Sequence, residues 1–88
     1  MAKLVKHAAA GTMESSDVYV EMEPADGLTV EIDSVVVNQF GDEIRRVVGE
    51  VLREQDVTDA KVRLVDRGAL DCVIRARVET AVSRAKGE

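Results

Sequence analysis

The chain has 88 residues, 45% of them hydrophobic and 33% charged, which suits a single domain over residues 1–88 whose small core is drawn from a few well-used apolar faces. Seventeen acidic residues against twelve basic ones give a formal charge of -5, the opposite of the footprint of a protein that grips phosphate backbones, and this argues against nucleic acid as a partner. Cys72 is the only cysteine, so an internal disulfide and a multi-cysteine metal site are ruled out within one chain, and a reducing cytoplasm is the expected location.

Residues 1–16 are rich in small and polar types and read as a flexible arm. Met1 to Ala10 includes Lys3 and Lys6 but lacks an apolar run long enough for a signal segment or a membrane span, so neither export nor a membrane partner is expected. From Asp17 to Glu23 the residues Val18, Val20 and Met22 alternate with polar ones. Leu28, Val30 and Ile32 do the same after Pro24-Ala25-Asp26-Gly27. Two half-buried strands joined as a hairpin are the simplest reading, with proline presetting one φ and glycine tolerating a positive one.

Between Val36 and Gln55, the residues Val36, Phe40, Ile44, Val47, Val48, Val51 and Leu52 fall at spacings of three and four, the helical period. Asp33 or Ser34 stands where an N-cap would accept backbone N–H bonds, and Gly41 leaves a later start open. Ala60, Val62 and Leu64 alternate with Lys61 and Arg63 in a third strand that ends at the Asp66-Arg67-Gly68 turn. Leu70, Val73, Ile74, Val78, Ala81, Val82 and Ala85 make one apolar stripe. Cys72, Ile74, Ala76 and Val78 also permit a strand, but length favours a second helix. The order β-β-α-β-α predicts an α+β fold, a small mainly antiparallel sheet with two helices packed on one face.

Catalytic chemistry is hard to place on this pattern. His7, the only histidine, lies in the arm, and a Ser-His or Cys-His pair would need the arm to fold back. Cys72 falls within the second helix, where a thiol ordinarily packs as a small buried apolar group. Asp66 and Asp71 flank a turn and could act as acid and base, although turn and capping roles are commoner for such aspartates. Gly41 and Gly68 are isolated, so no phosphate-cradling loop is present, and two aromatics, Tyr19 and Phe40, are too few for a base-stacking platform. What remains is Gly11-Thr12-Met13-Glu14-Ser15-Ser16-Asp17, ordinarily a solvated loop, whose serine hydroxyls could also anchor a phosphodiester.

That segment resembles the attachment segment of citrate lyase acyl carrier proteins, also called gamma chains. Gln39-Phe40-Gly41 followed by Ile44 resembles the helix opening of this family, and Asp66-Arg67-Gly68-Ala69-Leu70-Asp71-Cys72 followed by Ile74-Arg75-Ala76-Arg77 resembles its C-terminal signature. The three motifs stand in the family's order between Ala10 and Ala85, and the chain stops soon after, where some relatives run further.

The resemblance implies a non-catalytic acyl carrier domain whose Ser15 holds a phosphoribosyl-dephospho-coenzyme A group through a phosphodiester. Ser16 is disfavoured as the anchor, since relatives can carry glycine there. Implied partners are the alpha (acyl transferase) and beta (citryl lyase) subunits, a prosthetic-group transferase and an acetylating ligase. The implied cycle presents acetyl and citryl thioesters while citrate is cleaved to acetate and oxaloacetate. A noncovalent adaptor, a carrier for a related acid such as citramalate, and a small enzyme using Cys72 or Asp66 and Asp71 stay open on sequence grounds.

Overall fold

Six elements follow one another in the computed structural model, which describes residues 4–34 and 37–87, with residues 37–40 described by their backbone. They are β1 (Ala8–Gly11), β2 (Val18–Pro24), β3 (Leu28–Ser34), α1 (Val37–Glu54), β4 (Ala60–Asp66) and α2 (Asp71–Ala85). The α+β class and the two helices on one sheet face match the expectation, and β1 is an added strand. The arm expected over residues 1–16 gives way to packed chain from Leu4 onward. Leu4 and Ala8 are buried, and the N–H groups of Val5 and Lys6 both donate to the Ala85 carbonyl. Alternation did not reveal β1 because Ala8, Ala9, Ala10 and Gly11 offer no contrast between large apolar and polar side chains.

The sheet order is β1-β2-β4-β3. Pairing is antiparallel for β1 with β2 and for β2 with β4, and parallel for β3 with β4, so the sheet is mixed. The expected hairpin between β2 and β3 is therefore incorrect, because β4 is inserted between them. Ala60 sits opposite both Pro24 and Leu28. The Gly27 carbonyl accepts from Ala60 N–H at 2.9 Å, and the Asp59 carboxylate accepts from Gly27 N–H at 2.9 Å. The Pro24-to-Gly27 turn thus spans two interstrand spacings, and the loop before β4 ties it down. β4 suits the centre because Ala60, Val62 and Leu64 are wholly buried on the helix side and Val65 is buried on the other.

One core fills the space between sheet and helices. Val18, Val20, Met22, Val62 and Leu64 from the sheet meet Ile44, Val47, Val48, Val51 and Leu52 of α1 and Ile74, Val78, Ala81, Val82 and Ala85 of α2. α2 lies over β1 and β2, and α1 packs against α2 and β3. The helical spacings read from the sequence thus reach the core from Ile44 and from Ile74 onward. Val36 lies outside the described residues, as does the side chain of Phe40. Leu70, counted in the second stripe, is instead 71% exposed. It is the residue that precedes α2, where the helical period does not yet fix its direction. Asp33 and Ser34, read as the N-cap region of the first helix, are the last two residues of β3, and Ser34 Oγ donates to Asp66 at 2.8 Å. Both sheet edges are met by an arginine, with Arg84 donating to the Ala9 carbonyl at 2.8 Å and Arg45 to the Val30 carbonyl at 3.2 Å. Such contacts blunt the pairing capacity of an edge strand.

Candidate functional site

The segment Gly11 to Asp17 closes the β1–β2 hairpin, with Gly11 opposite Tyr19 as its last rung. Gly11 has φ +94°, and a Cβ there would stand 1.8 Å from the Val18 carbonyl oxygen and 3.3 Å from Cδ of Arg77. Only glycine fits such a close crossing of the two strands. Ser16 takes φ +66°, a left-handed conformation that glycine adopts most readily. The loop is therefore a tight, specific structure.

Asp17 organises it. Its carboxylate accepts from Thr12 Oγ1 at 2.7 Å and from Val18 N–H at 2.7 Å, while Arg77 of α2 donates through Nε and Nη2, each at 3.1 Å. The Asp17 side chain is 15% exposed. The Thr12 hydroxyl first, then the Val18 N–H and the Arg77 guanidinium, stabilise the charged carboxylate and lower its pKa from 3.8 to about 2 against a small opposing effect of burial. The backbone adds Asp17 N–H to the Glu14 carbonyl at 3.1 Å, Ser16 N–H to the Arg67 carbonyl at 2.8 Å, and Arg67 N–H to the Asp17 carbonyl at 2.9 Å. The hairpin tip is thus bound to the loop that leaves β4 and to α2. None of these bonds engages the Ser15 side chain, which is exposed at the tip.

The other residues singled out by sequence lie elsewhere. His7 Nε2 is 3.1 Å from Glu21 on the open sheet face, where Arg63 also reaches Glu21 at 3.4 Å. Cys72 is exposed, contrary to the buried packing expected of it, because it lies off the face of α2 that carries Ile74, Val78 and Val82. Asp66 is buried and accepts from Ser34 Oγ and, at 2.9 Å, from Ala69 N–H. That is the turn-capping role, three residues back from the donor. Asp71 is exposed in the first turn of α2, where a carboxylate complements the helix dipole. Gly68, with φ +92°, supplies the turn between β4 and α2.

The scaffold formed by Asp17 and Arg77 has no signature in the sequence. They are 60 residues apart, and no local pattern links them.

The family model described as malonate decarboxylase delta subunit (MdcD) matches residues 5–85. The citrate lyase acyl carrier protein of Haemophilus influenzae (strain PittEE) is 52% identical over 86 residues, covering 98% of this chain and 90% of that one. The citrate lyase acyl carrier protein of Cronobacter sakazakii (strain ATCC BAA-894) is 57% identical over 84 residues, covering 94% and 87%. Among solved structures, a chain of a Pseudomonas malonate decarboxylase hetero-tetramer in complex with malonate superposes with a TM-score of 0.80 at 22% identity, over 91% of this chain and 84% of that one, and shares the fold. Identity above half across nearly the full length, joined to the family match, places the chain among the citrate lyase acyl carrier proteins, in the family that the malonate decarboxylase delta subunit model describes.

Proposed function

We propose that this chain carries a phosphoribosyl-dephospho-coenzyme A group on Ser15 through a phosphodiester and, without catalysing a step itself, presents acyl thioesters to the transferase and lyase subunits of a cytoplasmic citrate lyase. The observation that carries this reading is the exposed Ser15 hydroxyl at the tip of a loop clamped through Asp17 and Arg77. A hydroxyl that serves no internal bond can be esterified without loss of the fold, and a fixed loop gives a modifying enzyme one geometry to recognise. The residues present fit the group in that sense. Ser15 would hold it, Asp17 and Arg77 would hold the loop, and the group would supply the thiol on which acetyl and citryl are borne.

The chain's own part is positional. A tethered thioester is confined near both partner sites, and its effective concentration there exceeds what a free thioester would reach. The clamp fixes the root of the tether and leaves its reach to the attached prosthetic group.

Intact mass and peptide mapping of the protein from a citrate-fermenting host are expected to show an added mass on the peptide containing Ser15, lost in Ser15→Ala. The Ser15→Ala chain should still assemble with its partners while turnover stops. Unmodified protein from a host with active citrate lyase would overturn the reading, as would full turnover by Ser15→Ala.

A further inference from the structure

The Ser15 loop is continuous with a groove. Ser16 N–H donates to the Arg67 carbonyl, and the next residue, Gly68, opens a depression of about 580 Å³. Its apolar lining comes from Ile44, Ala69, Leu70 and Ile74, and Glu43 and Asp71 bring carboxylates to it. Leu70, 71% exposed, is the most exposed large hydrophobic side chain among the described residues. The volume lies in the range of small-molecule sites, which are typically about 300–1,000 Å³ and mainly apolar with a few placed polar groups. Arg46 lowers the pKa of Glu43 through a hydrogen bond to its carboxylate, so Glu43 is anionic at neutral pH.

We infer that this groove receives the acylated end of the prosthetic group borne on Ser15, accepting it while the acyl group is short and uncharged and rejecting it once the acyl group carries free carboxylates. The inference rests on the proposed attachment at Ser15. Continuity favours this occupant, because the groove begins one residue from the bond that ties the attachment loop to the turn leaving β4. Charge sets the selection. An acetyl group brings a methyl to an apolar surface, whereas a citryl group would bring carboxylates out of water and beside Glu43 and Asp71. The groove would shelter the resting acetyl form from hydrolysis, in which hydroxide attacks the thioester carbonyl, the C–S bond breaks, and acetate and the thiol are released. It would leave the citryl form free for the lyase subunit.

The test uses the full chain labelled with 15N in four forms, namely bare, loaded, acetylated and citrylated, each verified by intact mass. Acetylation is expected to move the amide resonances of Ile44 and of Gly68 to Ile74, and citrylation to return them toward the bare positions. Leu70→Glu should raise the spontaneous hydrolysis of the acetyl form about threefold or more, as the exposed fraction of the thioester grows. Shifts confined to residues 14–17 in every loaded form would overturn the inference, as would hydrolysis unchanged by Leu70→Glu. Groove amides that respond only when the partner subunits are added would also overturn it and assign the surface to subunit docking. Each of these outcomes leaves the attachment reading intact, whereas the absence of added mass on Ser15 removes that reading itself.

Discussion

Replacing Asp17 by alanine removes three interactions at once, and their sizes can be estimated separately. Val18 is wholly buried, and loss of the carboxylate deprives its N–H of the acceptor at 2.7 Å, an effect of about 1–2 kcal/mol. The Arg77 side chain is 41% exposed, which holds the bidentate pair to about 1 kcal/mol, and the Thr12 bond adds a few tenths. Asp17→Ala should therefore destabilise the fold by about 3 kcal/mol, equivalent to a loss of about 10–20 °C in Tm for a chain of this size.

The pKa gives a second route to the charge-dependent part. A fall from 3.8 to about 2 corresponds to about 2 kcal/mol before solvent screening at the loop is counted. Because the folded-state value is depressed, this stability is fully present above pH 3.8 and is lost as the pH falls toward 2. Urea denaturation followed by circular dichroism, at pH 7 and again at pH 2, measures both quantities. Asp17→Asn should lose about 1–2 kcal/mol at pH 7 and show a much smaller deficit at pH 2. A double-mutant cycle with Arg77→Ala should return a coupling of about 1 kcal/mol. An Asp17→Ala chain within 0.5 kcal/mol of the parent at pH 7, or a deficit in Asp17→Asn of equal size at both pH values, would refute the account of the clamp.

Gly11→Ala sets a Cβ 1.8 Å from the Val18 carbonyl oxygen at a φ that L-residues avoid, and it should cost about 2–4 kcal/mol in the same denaturation assay. Ser16→Gly relieves a left-handed serine while loosening the unfolded chain, so a net gain of up to about 1 kcal/mol is expected in Tm measurements. Asp66→Ala removes the buried acceptor of both Ser34 Oγ and Ala69 N–H and should destabilise by about 2–4 kcal/mol, with Asp66→Asn recovering part of the loss. Ser15→Ala should leave the unfolding midpoint of the bare protein within about 0.5 kcal/mol of the parent, because the hydroxyl is exposed and outside the loop's bonds.

Amino-acid order alone makes legible the elements whose side chains alternate strongly between core and solvent. Val18, Val20 and Met22 fixed β2, Val62 and Leu64 fixed β4, and the spacings from Ile44 to Leu52 and from Ile74 to Ala85 fixed the two helices, since each pattern is set by the geometry of its own backbone. It also singled out Ser15, through the resemblance of the segment around it. Which strands pair is set by long-range packing. β2 and β3 are neighbours in the chain, yet β4 lies between them, because the most thoroughly buried strand gains most from having a partner on each side, and nothing local to Pro24–Gly27 records that choice. Tertiary structure likewise made β1 a strand, as four small residues carry no alternation and depend on the edge offered by β2. It also gave the loop around Ser15 one fixed conformation. The carboxylate of Asp17 and the guanidinium of Arg77 meet only because α2 packs across β1 and β2, a contact between residues far apart in the chain that short-range periodicity does not encode.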